Sequence, residues 1–362
     1  MHIPDGYLSP ATCTALYASS APFWYVALQR VKKTLHTRLV PLLSLFAAFS
    51  FVIMMFNLPL PGGTTGHAVG IGLAAVVLGP WAAMLAVSVA IVIQALFFGD
   101  GGITAIGANC FNMAIIGALV SYAVYRLLAG RSAILSFRRV VAAGLAGYVA
   151  INVSALLAAI EFGIQPLLYR DATGAPLYCP YPLSVAIPAM MLGHLTIAGL
   201  AELVVSAGVV AFIQKSDPSL LKSTAGRGIA LTEPTERAGA GSLRPLWVGL
   251  CLLMILTPLG ILAAGSAWGE WMASDYSNPA IRQKMAQSSF QQPAPQRAPE
   301  GLERLSSLWT APFVRYAPPY VTSAAFGYLL SAMFGAGLVM LASLAVGRFI
   351  RAQSYDSEER AA

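Results

Sequence analysis

The sequence predicts an all-α, polytopic integral membrane protein, and three observations carry that prediction. Of the 362 residues, 57% are hydrophobic and only 10% are charged, with a mean hydropathy of +0.69, whereas a soluble domain carries about 25% charged residues. From Leu39 to Tyr125 the sole formally charged side chain is Asp100. The apolar stretches are long, and backbone groups in hydrocarbon must bond within their own segment, so helices are the expected spanning element.

A span needs roughly 20 apolar residues, fewer where a helix is short or broken. Nine spans are expected, at about 9–29, 39–56, 67–78, 81–98, 105–126, 140–160, 183–213, 245–264 and 321–347. The third is short and stops at Gly79-Pro80. Arg30, Lys32, Lys33 and Arg38 follow the first span, and Arg126, Arg131, Arg138 and Arg139 follow the fifth. Lys215, Lys222, Arg227, Arg237 and Arg244 lie between the seventh and eighth, and Arg348, Arg351 and Arg360 follow the last. Loops rich in Lys and Arg stay in the cytoplasm, so these mark the cytoplasmic side. Nine spans then put the amino terminus outside and the carboxy terminus in the cytoplasm. The net charge of +7 is thereby explained by topology and calls for no nucleic acid.

Composition also divides the chain. Residues 1–213 form a seven-span module, residues 214–244 a polar cytoplasmic linker, and residues 245–362 a two-span accessory module with a long extracytoplasmic segment. That segment, 265–320, is rich in Gln and Pro and is expected to be mobile in its middle. Trp268, Trp271, Trp309 and Tyr320 read as an interfacial aromatic belt. Residues 1–8 lack a basic region and an apolar run, so no cleavable signal peptide is expected. Cys13, Cys110, Cys179 and Cys251 have no paired or metal-type spacing and read as small core residues.

No G-x-x-x-x-G-K-[ST] loop, H-E-x-x-H motif or Ser-His-Asp spacing occurs, so ATP hydrolysis would fall to another chain. Four histidines remain: His2, His36, His67 and His194. His36 sits among basic residues and reads as solvated. His2 is different. A free α-amine, the amide nitrogen of residue 2 and the Nδ1 of a residue-2 histidine can hold one metal in fused chelate rings, a tetragonal nitrogen set suited to Ni(II) or Cu(II). One planar position is left for another imidazole. His67 lies in PGGTTGHAVG, a Gly-rich loop expected on the same face, where Gly62, Gly63, Gly66 and Gly70 let the backbone turn tightly near a small ligand. The turn at Pro4-Asp5-Gly6 would fold residues 1–3 back toward the bundle. The competing reading of His2 is a frayed tail.

Four stretches carry a resemblance: MHIPDGYL at the start, PGGTTGHAVG around His67, FFGDGGITAIGANCFNMA at 97–114 and GHLTIAGLAE at 193–202. Over about residues 1–213 the chain resembles the substrate-binding membrane component of energy-coupling-factor transporters for cobalt or nickel, the CbiM/NikM family. TPLGILAAGSAWGEW at 257–271, with its two spans, resembles the small CbiN/NikN-type or PDGLE accessory domain, here fused. The resemblance implies Ni(II) or Co(II) held as transported substrate by Met1, His2 and His67, with no prosthetic group. It also implies a transmembrane coupling subunit, two cytoplasmic ATPase subunits as partners, and residence in the bacterial inner membrane.

Asp5, Thr65, Asp100, Asn109 and Asn112 are candidates for fixing loops or for bonding to the ligating imidazoles. Asn109 and Asn112 are three apart and expected on one helix face. His194 and Glu202 read as helix-packing polar residues or a docking face for the coupling subunit. The expected function is therefore a non-enzymatic metal-binding component of an ATP-driven importer, capturing the ion outside. The alternatives are a stand-alone secondary metal permease, for which Glu161 and Glu202 are the only intramembrane carboxylates, and a membrane metal sensor or intramembrane metalloenzyme. Nitrogen ligands accept nickel and cobalt alike, so the same residues serve either metal.

Overall fold

A computed structural model describes residues 1–34, 39–60, 63–225, 243–263 and 265–359, with side chains for all of these but 34 and 350–359. His36 and Gly62 lie outside the described residues. Among the described residues, six helical segments are long and apolar enough to cross a membrane: Pro80–Phe98, Ile106–Ala129, Phe137–Leu168, Leu183–Ser216, Arg244–Leu262 and Ala324–Phe349. The first helix, α1 (Pro10–Thr34), is long but less apolar, and α2 (Leu39–Met54) is shorter, at 16 residues. The stretch expected as a third span begins later. Residues 67–70 are irregular, and α3 (Ile71–Leu78) has only 8 residues.

The chain is not wholly α-helical. Between α2 and α3, β1 (Leu58–Leu60) pairs antiparallel with β2 (Thr64–Gly66), placing Pro59 opposite Thr65. This hairpin delivers His67. Gly79, at φ 78°, ends α3, and Pro80 opens α4 (Pro80–Ile93), a first-turn position where its missing N–H costs nothing. α4 runs into a wide π-helical turn, Gln94–Phe98. The next rod is α5 (Ile106–Asn109), a second π-helical stretch (Cys110–Ile116) and α6 (Gly117–Ala129). α7 (Phe137–Leu168) is the central helix and packs against α3, α6, α8 (Leu183–Gly193) and α9 (Gly199–Ser216). A Cβ on Gly72 of α3 would stand 2.5 Å from the Cα of Gly147 in α7. Small residues at such a crossing let two backbones touch, the usual packing device in lipid.

The short α10 (Lys222–Ala225) closes this first half. α11 (Arg244–Leu256) and α14 (Ala324–Glu359) then both pack on α2. The segment between them is folded, contrary to the expectation of a mobile middle. It forms α12 (Pro279–Ser288) and α13 (Glu300–Leu305), and buries Tyr276, Met285, Leu302 and Tyr316. Its aromatic residues explain the difference. Trp268 and Trp271 are each 4% exposed, packed on one another and on Tyr181, with Phe162 against Trp268, so they form a small core and not an interfacial belt. Trp309 and Tyr320 stay exposed. All four cysteines are free, and Cys251 is exposed where a core residue was expected.

Candidate metal centre

The start of the chain is not frayed. Met1, His2 and Ile3 are buried, His2 completely. An extended segment offers backbone N–H and C=O groups that must find partners when buried, and two of the side chains that serve it here, Asp5 and Asn109, were singled out above. Asn109 accepts from the Ile3 amide at 2.8 Å and donates to the Ile3 carbonyl at 3.1 Å. Asp5 accepts from the amides of Ile103 and Thr104 and from the Thr104 hydroxyl at 3.1, 2.8 and 2.5 Å. Gly102 donates to the Ile3 carbonyl at 2.9 Å, and a Cβ on Gly102 would overlap the Asp5 amide. Asp5, Asn109 and Gly102 together dock the first five residues against the loop before α5.

Docked in this way, His2 meets His67. Their ring centroids are 5.2 Å apart in an edge-to-face arrangement, and both rings are buried. The Nδ1 of His67 lies 3.1 Å from the carbonyl of its neighbour Ala68. A carbonyl only accepts, so Nδ1 carries the hydrogen and Nε2 keeps its lone pair, the tautomer a metal ligand needs. Burial, together with the nearby His2 and α-amine, lowers the His67 pKa to about 3, so this imidazole stays neutral.

His2 is held differently. Its Nδ1 is 3.0 Å from Asp100 Oδ1 and 3.2 Å from the Asp100 carbonyl, while its Nε2 is buried with no hydrogen-bond partner among the described residues. Burial lowers its affinity for a proton, but the Asp100 carboxylate outweighs this and raises its pKa above the ordinary value. Asp100 is itself buried, which raises its pKa, but the facing His2 pulls it well below the usual carboxylate range. Chelation through His2 Nδ1, as the sequence suggested, therefore requires Asp100 to yield that nitrogen to the ion.

Two further groups reach the same place from the second half of the chain. Tyr316 donates to Asp100 Oδ2 at 2.5 Å, and Gln94 donates to both. Glu270 Oε1 accepts from the Met1 amine at 3.2 Å and the His2 amide at 3.0 Å. Sequence reasoning missed Glu270, Tyr316 and Gln94. The available signal was Glu270 itself, a lone acid inside the Gly- and Trp-rich GSAWGEW. A cavity of about 740 Å³ opens beside these residues, with Asp5, Asp100, Glu270 and Asp275 on its walls against Lys284 and Arg315. An excess of carboxylates in a cleft raises the local concentration of cations.

The remaining candidates separate. Thr65 is buried and its strand bridges to Ala267, tying the His67 hairpin to the second half. Asn112, inside the π-helical stretch that begins at Cys110, turns to Glu161, donating at 2.8 Å, away from Asn109's partners. His194 Nδ1 bonds back to Met190 of its own helix at 2.8 Å. Glu202 accepts from the amides of Val69, Gly70 and Gly72 at 2.7, 2.9 and 3.1 Å, which pins the loop that follows His67. Among the described residues, no group of three or more His, Cys, Asp or Glu side chains is placed to hold a metal ion. A centre here would need backbone and amine nitrogens beside the two imidazoles.

Known proteins of this kind are close at hand. The CbiM family model, described as a cobalt uptake substrate-specific transmembrane region, matches residues 2–220. A fused nickel transport protein NikMN from Rhodobacter capsulatus is 56% identical over 342 residues, covering 94% of this chain and 95% of the relative. A probable fused nickel transport protein LarMN from Lactiplantibacillus plantarum is 44% identical, covering 92% and 93%. A crystal structure of a truncated transition metal transporter superposes with a TM-score of 0.55 at 51% identity, covering 59% of this chain and 99% of that one. The chain is thus a multi-pass protein of the bacterial inner membrane and a metal transport component, and it belongs to the CbiM/NikM family of substrate-binding components, fused to a NikN-like domain.

Proposed function

We propose that this chain captures Ni(II) or Co(II) at the extracytoplasmic face for an ATP-driven energy-coupling-factor importer. The observation that carries the reading is the buried contact of His2 with His67, 5.2 Å between ring centroids, beside the Met1 amine and an acidic cavity. Met1, His2 and His67 are the proposed ligands: amine, residue-2 amide and two imidazoles. Asp100 and Asn109 position His2 and its neighbour, and Asp5 and Thr65 fix the loops on either side. Nine spans are proposed, with α1, α2 and α3 completing the six longer segments, the amino terminus outside and the carboxy terminus in the cytoplasm.

Residues 1–213 are the binding module, 214–244 the cytoplasmic linker and 245–362 the accessory module. Residues 226–242 lie outside the described ones. The sequence has no phosphate-binding loop, and a transmembrane coupling subunit and two ATPase subunits would supply the energy. The relatives' names favour nickel for the fused arrangement. Nickel titration of purified wild-type protein and His67→Ala tests the assignment. His67→Ala should lose most binding while its helical content by circular dichroism is unchanged, and equal affinities would remove His67 from the centre. ATP hydrolysis by the isolated chain would overturn the division of labour.

A further inference from the structure

Glu270 stands where an ion gripped by the chain start would sit. Its Oε1 receives both the Met1 amine, at 3.2 Å, and the His2 amide, at 3.0 Å. One oxygen at hydrogen-bond distance from two adjacent nitrogens means that both nitrogens point at one spot. A metal bound to a deprotonated amide nitrogen lies in the direction its hydrogen occupied, and the five-membered ring closes through the amine next to it. The carboxylate oxygen and the ion therefore claim the same position.

The surroundings leave one part free to move. Glu270 is flanked by Gly269 and Trp271, and Trp268 and Trp271 are each 4% exposed within the aromatic core, so its backbone is fixed. Its side chain is 22% exposed and borders the 740 Å³ cavity, so it has room to rotate away. Asp100, the other carboxylate at the centre, is tied through Oδ2 by Tyr316 and Gln94, so it gives up only the Oδ1 contact to His2 Nδ1 and does not leave the centre.

We propose that Glu270 is a placeholder for the ion. It holds the Met1 and His2 nitrogens converged on one point, and swings into the cavity when a divalent cation enters, one proton of the Met1 ammonium, the His2 amide hydrogen and the proton that His2 Nδ1 shares with Asp100 leaving to solvent as the metal–nitrogen bonds form. Its return competes with the bound ion and favours release. The fused accessory domain thereby sets the affinity of a centre built by the other module. The inference rests on the proposed ligand role of Met1 and His2.

The test uses full-length protein in detergent, Ni(II) titration, and melting with and without Ni(II), on wild type, Glu270→Ala, Glu270→Gln and His67→Ala. Removing the competitor should tighten Ni(II) binding by about three- to tenfold in Glu270→Ala, the size expected for a partly exposed charged contact. Glu270→Gln, which keeps an acceptor oxygen without the charge, should fall between. Without metal, Glu270→Ala should melt below wild type, and with saturating Ni(II) the two should melt together. Unchanged or weaker binding in Glu270→Ala, or an equal melting deficit with and without Ni(II), would overturn the placeholder. Wild-type affinity in His67→Ala would instead remove the metal centre itself.

Discussion

Glu202, on α9, accepts the amide hydrogen of Val69 at 2.7 Å, across 133 residues of sequence. The same oxygen takes the amide of Gly70 at 2.9 Å, and the other oxygen takes that of Gly72 at 3.1 Å. Three N–H groups at the start of α3, which its own helix cannot satisfy, are bonded by one buried carboxylate. His67 stands two residues before the first of them. A side chain that sequence reading assigned to helix packing or partner docking thus shapes the loop that presents an imidazole.

Removing that acceptor should strand buried donors. Glu202→Ala is expected to lose about 1–3 kcal/mol of stability and to weaken Ni(II) binding, because the loop after His67 loses its anchor. Glu202→Asp, with a shorter reach, should fall between wild type and Glu202→Ala in both respects. Thermal melting with Ni(II) titration on the two variants checks this, and wild-type affinity in Glu202→Ala would separate the clamp from the centre.

Gly102 sets a second constraint. A Cβ there would overlap the Asp5 amide, and the Gly102 amide donates to Ile3. Gly102→Ala must push residues 1–5 off the α5 loop, at about 1–3 kcal/mol for the misfit. Nickel affinity should drop more than about tenfold, by the conversion of such an energy into binding, while helical content measured by circular dichroism stays unchanged. Unaltered binding would show that the chain start does not need its seat.

These two cases mark how far the sequence could be read. The apolar runs, the Gly79-Pro80 break and the rarity of charge announced a helical membrane protein, because lipid enforces composition and length over each span. His2 and His67 were legible through local chemistry: a residue-2 imidazole beside an amine, and an imidazole among glycines. Glu202, Glu270 and Tyr316 were not, because each acts on a partner 130 or more residues away, and no local pattern encodes a long-range contact. The segment around Trp268 misled for a related reason. Tryptophan suits both a membrane interface and a small core, and only packing against Tyr181 and Phe162 decides between them.

The two imidazoles should pull stability in opposite directions with pH. His67 titrates near 3 in the folded protein and near 6.5 when unfolded. Between those values the unfolded chain holds the extra proton, so stability falls as pH drops below about 6.5. His2 has a raised folded value, through Asp100, so its contribution is fully present below about 6.5 and is lost as pH rises through that higher value. His67→Gln removes the first effect alone. With metal chelated, its melting temperature should fall less steeply than that of wild type from pH 6.5 to 5, a difference of about 2 kcal/mol by the lower pH. Parallel melting curves against pH would contradict the neutral, buried state of His67.

The last prediction concerns the position of Met1. Its residue is 4% exposed, and its amine lies 3.2 Å from Glu270 at the wall of the acidic cavity. A peptide extension before Met1 would do two things at once. It would convert the amine into an amide nitrogen, a far poorer ligand until it too loses a proton, and it would force added residues into a space bounded by Glu270, His2 and His67. An extension after Ala362 does neither. Metal content measured on the two purified forms after loading with Ni(II) should therefore differ sharply, with the carboxy-terminally extended protein retaining wild-type occupancy and the other nearly empty. His2→Ala, which keeps the amine but loses an imidazole, should be nearly as depleted as the amino-terminal extension. Equal metal content in the two extended proteins would mean that neither the amine nor its buried seat takes part in binding.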